Sequence, residues 1–388
     1  MPGKQRIVYM NKKHVFVYRL VRPLVMVFLW LKFGYTFTTA RNLPEKYIVL
    51  SNHTTDYDPI FVACSFPRQM YFVGSEHIAR WKHWYQLLNN LFSPIMRPKG
   101  TLGVSTTMEV LRRVKAGGNV CIFAEGARCW DGVTNPILPS TGRTIKSAKC
   151  GLVTYKIVGG YFASPNWSTK NTRRGYVHGA PVNVYTKEQL AAMTVDEINE
   201  IIVRDLYEDA YRRQMEHPRR YRGKNLAEAM DNLLFVCPKC GKLDSIRSRG
   251  DTVECGECGL SFRYDEYGML QDAPFRTVRE MALWQRDEVE KAADAEAVYH
   301  LPDAVLSTVA NHQESVVESG AASISGEAIT CGETAIPLEE ILDLQIHGKH
   351  ALVFSTAKAY YEMVSPDFNV LKFMLLYGAY KRRAKIEK

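Results

Sequence analysis

The first 44 residues contain no aspartate or glutamate, yet they carry eight lysines or arginines. That absence excludes a charge-balanced arm and points to an anionic surface or ligand. The same stretch lacks a long uncharged apolar run. Its longest covers residues 23–31, nine residues or about 14 Å as helix. This falls well short of the ~20 residues needed to span a bilayer. No small-residue cleavage site is present after it, which argues against a signal peptide. Apolar residues flanked by Arg19, Arg22 and Lys32, with Trp30 near one end, suit a helix lying in a membrane interface. Residues 1–34 are therefore expected to form a basic interfacial helix at the cytoplasmic face, peripheral or monotopic. The alternative is a packed N-terminal helix of a soluble domain.

An even cysteine count is also missing. Nine cysteines at irregular spacing do not make a secreted disulfide scaffold and suggest a reducing compartment. Cys64, Cys121, Cys129, Cys150 and Cys331 read as small buried hydrophobes. The chain shows no internal repeat and no low-complexity tract. At 388 residues it is too long for one core. A net charge of +9 favours an anionic partner, whether phosphate substrate, lipid or nucleic acid.

Residues 45 to about 215 alternate strand-like and helix-like segments. "YIVL" (47–50) precedes "PIFVACSF", "MYFVGSE" precedes "ARWKHWYQLLNNL", and "NVCIFAEG" comes after "GVSTTMEVLRRVKAG". This alternation predicts an α/β domain over 35–217, with a mainly parallel sheet flanked by helices. Residues 194–217 read as one helix with Thr194 as N-cap, ended by Pro218. A basic linker, "HPRRYRGK", leads to a cysteine-rich module at 235–265 and a further helix near 277–297. Short apolar runs over 300–388, ending in one amphipathic helix, predict a small β-rich domain, with a pleckstrin-homology-like module as one candidate.

Within "SNHTTDYDPI" (51–60), His53 and Asp58 stand five apart where an apolar run ends. In one continuous helix they would lie ~140° apart, so they can cooperate only across a turn, for which "TTD" (54–56) supplies capping residues. Asp58 can then accept a hydrogen bond from one His53 nitrogen, which leaves the other as a general base. A hydrogen-bonded structural pair is the plainer reading of these two residues alone. No nucleophilic serine or cysteine is evident beside them, so the base should act on a substrate hydroxyl.

A second strand ends at "AEGAR" (124–128), where Gly126 permits a tight turn and Arg128 offers a fork for phosphate. "PIMRPKG" places Arg97 and Lys99 after another strand end. In a parallel sheet these ends share one edge with His53.

Here the sequence resembles the glycerolipid acyltransferases of the 1-acylglycerol-3-phosphate acyltransferase type. Their first block, Asn-His-x4-Asp, stands as "NHTTDYD". Their third, Phe-Pro-Glu-Gly-x-Arg-Ser, stands as "FAEGARC", about 70 residues on, with Ala124 and Cys129 replacing the usual proline and serine. The resemblance covers about residues 20–215. It implies that His53 is the base on an acceptor hydroxyl and that Asp58 orients it. It also implies that Arg97, Glu125, Gly126 and Arg128 hold the acceptor's phosphate. The implied reaction moves a fatty acyl group from a thioester donor, acyl-CoA or acyl carrier protein, to a lysophospholipid or glycerol phosphate. "RTIKSAK", with Arg143, Lys146 and Lys149, either meets the donor's phosphates or forms a solvated helix face.

Cys237-x2-Cys240 and Cys255-x2-Cys258 are separated by fourteen residues, and each pair is followed by glycine. This is the spacing of a structural zinc ribbon. Such ribbons often bind nucleic acid, so a non-catalytic, membrane-tethered or nucleic-acid-binding adaptor is the rival reading. Residues 235–265 balance five basic against five acidic side chains, which argues against a nucleic-acid stripe.

Overall fold

A computed structural model describes residues 12–75, 86, 89–97, 104–168, 171–310, 313–348, 350–366 and 368–386. Two units are present: Met1–Asn166 with Lys170–Lys224, and Trp167–Thr169 with Asn225–Lys388. Lys99 and most of the helix expected over 79–91 lie outside the described residues.

The first unit is built on one sheet. Its strands are β1 (Tyr35–Phe37), β2 (Tyr47–Ser51), β3 (Met70–Ser75), β4 (Ile95–Arg97), β5 (Asn119–Phe123), β6 (Gly151–Val158) and β7 (Val177–Tyr185), in the order β1-β7-β6-β2-β5-β3-β4. From β6 to β4 every pairing is parallel. β7 runs antiparallel to β6, and β1 parallel to β7. The sheet is thus mixed, because the chain after β6 turns back to pair antiparallel with it as β7.

The described helices of this unit are α1 (Lys12–Phe33), α2 (Asp58–Ser65), α3 (Val104–Lys115), α4 (Ser140–Ala148), α5 (Gly160–Ala163), α6 (Lys187–Ala192), α7 (Val195–Leu206) and α8 (Ala210–Glu216). Every residue of β2 is buried, as its uncharged run requires of a strand covered on both faces. Ile48 and Leu50 pack with Val110 and Val114 of α3, Ile145 of α4, and Ile198, Ile202 and Leu206 of α7. Tyr47 faces the other side, where it stacks on Phe66.

The helix expected over 194–217 is two helices. Thr194 caps α7 in a capping box with Glu197. At 207–209 the backbone turns to other partners: Glu208 O accepts from Thr134 N (3.0 Å), and Asp209 bridges Val133. Asp209 then caps α8 by accepting from Arg212 N (3.0 Å).

In α1 the uncharged run understates the apolar surface, because two of its charges turn inward. Arg22 donates to Cys64 O (2.6 Å), and Lys32 to Tyr57 Oη (2.7 Å). Tyr18 donates to Ala63 O (2.5 Å) and Phe66 O (2.7 Å), so this face grips the C-terminal end of α2. On the opposite face Phe16, Leu20, Leu24, Val27 and Leu31 are exposed, together with Trp30. They fall on one stripe at helical spacing. By length and composition the helix is also long and apolar enough to cross a membrane.

The second unit begins with a four-stranded antiparallel sheet: β8 (Ile246–Arg249), β9 (Thr252–Cys255), β10 (Ser261–Tyr264) and β11 (Leu270–Gln271). After α9 (Val278–Asp294) come β12 (Tyr299–Ala310), β13 (Gln313–Ile324), β14 (Ala328–Cys331), β15 (Thr334–Pro337), β16 (Asp343–His347), β17 (Ala351–Ser355) and β18 (Tyr360–Val364). α10 (Val370–Ile386) closes the chain. The seven strands form an antiparallel sheet, β15-β14-β13-β12-β18-β17-β16.

Two buried side chains tie the cysteine module to α9 and α10. Gln285 of α9 accepts from Phe235 N (2.6 Å) and Val236 N (3.0 Å) and donates to Leu233 O (2.8 Å). Lys372 of α10 is fully buried, with Nζ 2.6 Å from Asp244 Oδ1 and 3.7 Å from the centre of the Tyr299 ring. Burial pushes its pKa down to about 8, against the pull of Asp244. The segments 235–265 and 300–388, read from sequence as separate modules, therefore share one compact unit.

Candidate active site and metal centre

β2, β5, β3 and β4 run parallel, so their C-terminal ends present His53, Glu125 and Arg97 along one edge of the sheet. Asn52 anchors the first of these ends. Its side chain accepts from Ile157 N (2.8 Å) and donates to Ile157 O (2.9 Å) of β6. Sequence reasoning passed over Asn52, although it opens the "NHTTDYD" block.

Asp58 is fully buried. Its Oδ2 accepts from His53 Nδ1 (2.8 Å), Thr54 N (2.5 Å) and Thr55 N (2.9 Å). Its Oδ1 accepts from the hydroxyls of Thr54 (3.2 Å) and Thr55 (2.8 Å). The turn between the two residues is thus gathered by Asp58 itself. Thr55 Oγ1 in turn accepts from Tyr57 N (2.9 Å), the N-cap residue of α2, whose own side chain makes no cap bond. Five donors stabilise the buried carboxylate. With Nδ1 bound, Nε2 is the nitrogen left for chemistry. The imidazole stacks on Phe123 at the end of β5, with ring centres 4.3 Å apart and planes 23° apart.

Glu125 turns inward, contrary to the expectation that it meets the acceptor. Its Oε1 accepts from His53 N (2.6 Å) and its Oε2 from Asn135 N (2.6 Å). It is 6% exposed, and burial pushes its pKa up to about 8, against the two amide donors. Cys129 N donates to His53 O (3.0 Å). The two blocks are therefore stitched together through backbone groups of His53 on both sides.

Gly126 adopts φ +74°, which only glycine takes without strain. A Cβ there would also lie 3.3 Å from Arg97 Nη1, so the Arg97 guanidinium lies over the Glu-Gly-x-Arg turn. Arg128 donates to Asp56 Oδ2 at 2.8 Å. Arg143 and Lys149 are exposed, whereas Lys146 donates to Met193 O.

The second unit holds a different constellation. The Sγ atoms of Cys237, Cys240, Cys255 and Cys258 all lie within 4.8 Å of one another. Cys237–Cys258 is 3.6 Å and Cys240–Cys255 is 3.8 Å. These separations exclude disulfide bonds. They match the edge of about 3.8 Å of a tetrahedron with metal–sulfur bonds of about 2.3 Å. Each pair forms a knuckle in which the next glycine returns its N–H to the first cysteine's carbonyl: Gly241 to Cys237 (2.9 Å) and Gly259 to Cys255 (3.2 Å). The four thiolates can hold a metal ion.

Residues 34–158, which carry both the sheet edge and its charged side chains, match the family model described as Acyltransferase. That match lies wholly within the first unit. No curated protein matches the chain. Among solved structures, the 1-acyl-sn-glycerophosphate acyltransferase PlsC from Thermotoga maritima is similar at 18% identity and a TM-score of 0.40, covering 49% of this chain and 78% of that one. The N-terminal pleckstrin-homology domain of human ARAP2 is similar at 12% identity and a TM-score of 0.18, covering 22% of this chain and 82% of that one.

Proposed function

We propose that this chain is a membrane-surface O-acyltransferase that moves a fatty acyl group from a thioester donor to the hydroxyl of a lysophospholipid or glycerol phosphate. The observation that carries the reading is the His53–Asp58 pair, held at 2.8 Å on the edge that also bears Arg97 and Arg128. His53 Nε2 takes the acceptor's hydroxyl proton as the oxygen attacks the thioester carbonyl. The tetrahedral oxyanion collapses, the carbon–sulfur bond breaks, and the departing thiolate recovers the proton from His53. The transfer is direct, with no covalent enzyme intermediate and no step that calls for a metal. The donor is acyl-CoA or an acyl carrier protein.

Arg128 and Arg97 take the acceptor's phosphate in this reading. Arg128→Ala removes a charge-assisted contact, typically about 1.5–3 kcal/mol. The acceptor's KM is expected to rise ~10-fold or more and the donor's to change little, as measured by initial rates at varied concentrations of each. A rise confined to the donor would reverse the pocket assignment.

The exposed stripe of α1 supports attachment to lipid by one face, since the other face is bonded to α2. Replacing Leu20 and Leu24 by glutamate should weaken binding to anionic vesicles ~10-fold or more, because each buried leucine contributes about 1.5–3 kcal/mol. Activity on a short-chain, soluble acceptor should survive. Co-sedimentation with vesicles and parallel assays check this, and equal loss on both acceptors would make α1 part of the catalytic fold alone.

The four-cysteine centre suits zinc, which favours tetrahedral thiolate sites, and a site with four protein ligands is structural. The C-terminal sheet and helix are read as a pleckstrin-homology-like module.

A further inference from the structure

The Arg128 guanidinium already has an anionic partner. Asp56 Oδ2 lies 2.8 Å from its Nη1, with Arg128 17% exposed and Asp56 74% exposed. The pair reaches solvent through Asp56, and the turn bearing Asp56 has other bonds to fix it: Asp58 accepts from Thr54 N and Thr55 N, and Thr55 Oγ1 accepts from Tyr57 N (2.9 Å). Its placement is what matters. Asp56 stands three residues from His53 on the same turn, and Glu125 and Asp58, two further acids at this edge, have their oxygens committed to internal donors.

We propose that Asp56 is a specificity-determining residue: a resident carboxylate that competes with the acceptor's headgroup for Arg128 and so favours a phosphomonoester over a phosphodiester. This rests on the reading of Arg128 as a headgroup contact. A headgroup oxyanion must displace the Asp56 carboxylate or share the guanidinium with it. Replacing one monoanion by another, as a phosphodiester would, gains little. A terminal phosphomonoester carries nearly two charges at neutral pH, so its attraction to Arg128 and Arg97 exceeds that of the carboxylate it displaces. If instead it shares the guanidinium, it meets the Asp56 repulsion with more attraction to set against it. The carboxylate thereby raises the threshold for weakly charged headgroups more than for strongly charged ones.

The test uses the full chain on mixed micelles with two acceptors, a 1-acylglycerol 3-phosphate and a 1-acylglycerol phosphodiester with a glycerol headgroup. Asp56→Asn keeps the side-chain shape and removes the charge. The expected result is a fall in both KM values, larger for the phosphodiester, so that the ratio of the two narrows ~3- to 10-fold. Within the Arg128→Ala background the same substitution should leave the ratio unchanged, because the competition has lost its object. An unchanged ratio in the Arg128 parent, or a rise in KM for the phosphomonoester, overturns the proposal. Should Arg128→Ala by itself leave both acceptor KM values untouched, the headgroup reading fails first and Asp56 falls with it. If Arg128→Ala raises them and Asp56→Asn does not narrow the ratio, only the Asp56 inference is lost.

Discussion

Replacing His53 with alanine is expected to lower acyl transfer at least ~100-fold, the lower end of what a positioned general base supplies. The full chain, a lysophospholipid acceptor and a coenzyme A thioester suffice for the measurement. The substitution leaves the fold intact: the side chain is 20% exposed, and the bonds that lock the turn run through the backbone N–H and carbonyl of residue 53, which alanine retains. Near-normal turnover in a folded His53→Ala protein would end the base mechanism. Asp58→Asn is the harsher but less clean change. An amide in place of Oδ2 would turn N–H against the Thr54 and Thr55 amides, or favour the wrong imidazole tautomer. It should therefore lower both activity and thermal stability, whereas His53→Ala, which leaves four of the five donors to Asp58, should cost much less stability.

Joint replacement of Cys237 and Cys240 by serine is expected to abolish stoichiometric zinc and to melt the small sheet β8–β11. That sheet has few buried apolar side chains of its own, chiefly Ile246, Val253, Phe262, Tyr264 and Leu270. A core of that size does not hold a fold without a cross-link or a metal. Binding of a structural zinc by small finger peptides is worth about 10–16 kcal/mol at neutral pH, and a loss large against a core of that size is expected if the proposed zinc is removed. Elemental analysis and amide exchange over 237–264 read the result. A chain with one zinc per molecule and exchange protection that collapses on substitution fits the proposal, whereas full protection in a zinc-free double mutant would remove the metal from the account.

Short-range spacing carried much of this site in the sequence. His53 and Asp58 face each other because the chain turns between them, and a five-residue spacing at a strand end already required that turn. The two C-x2-C-G knuckles were equally plain, since each is a local loop with its own glycine. What escaped were bonds to backbone groups far along the chain. Glu125 looks like a ligand residue in "AEGAR", yet its oxygens go to amides of residues 53 and 135. The break at 207–209 was invisible in a segment of good helix formers, because its cause lies at 132–134. Phe123 read as one more apolar residue of β5, and only the parallel register of β2 and β5 sets its ring against His53. Likewise, counting uncharged residues in α1 could not show that Arg22 and Lys32 point inward.

α2 joins the base to the arm. Its first residue, Asp58, orients His53, and its last turn is the part that Tyr18 and Arg22 of α1 grip. Eight residues of helix span about 12 Å, so α2 is a short, stiff spacer between α1 and His53. On the proposed attachment of α1 to lipid, the depth at which that helix settles would set the height of the imidazole above the acyl chains. A lysolipid's free hydroxyl would meet the base near the headgroup layer, with its tail still embedded.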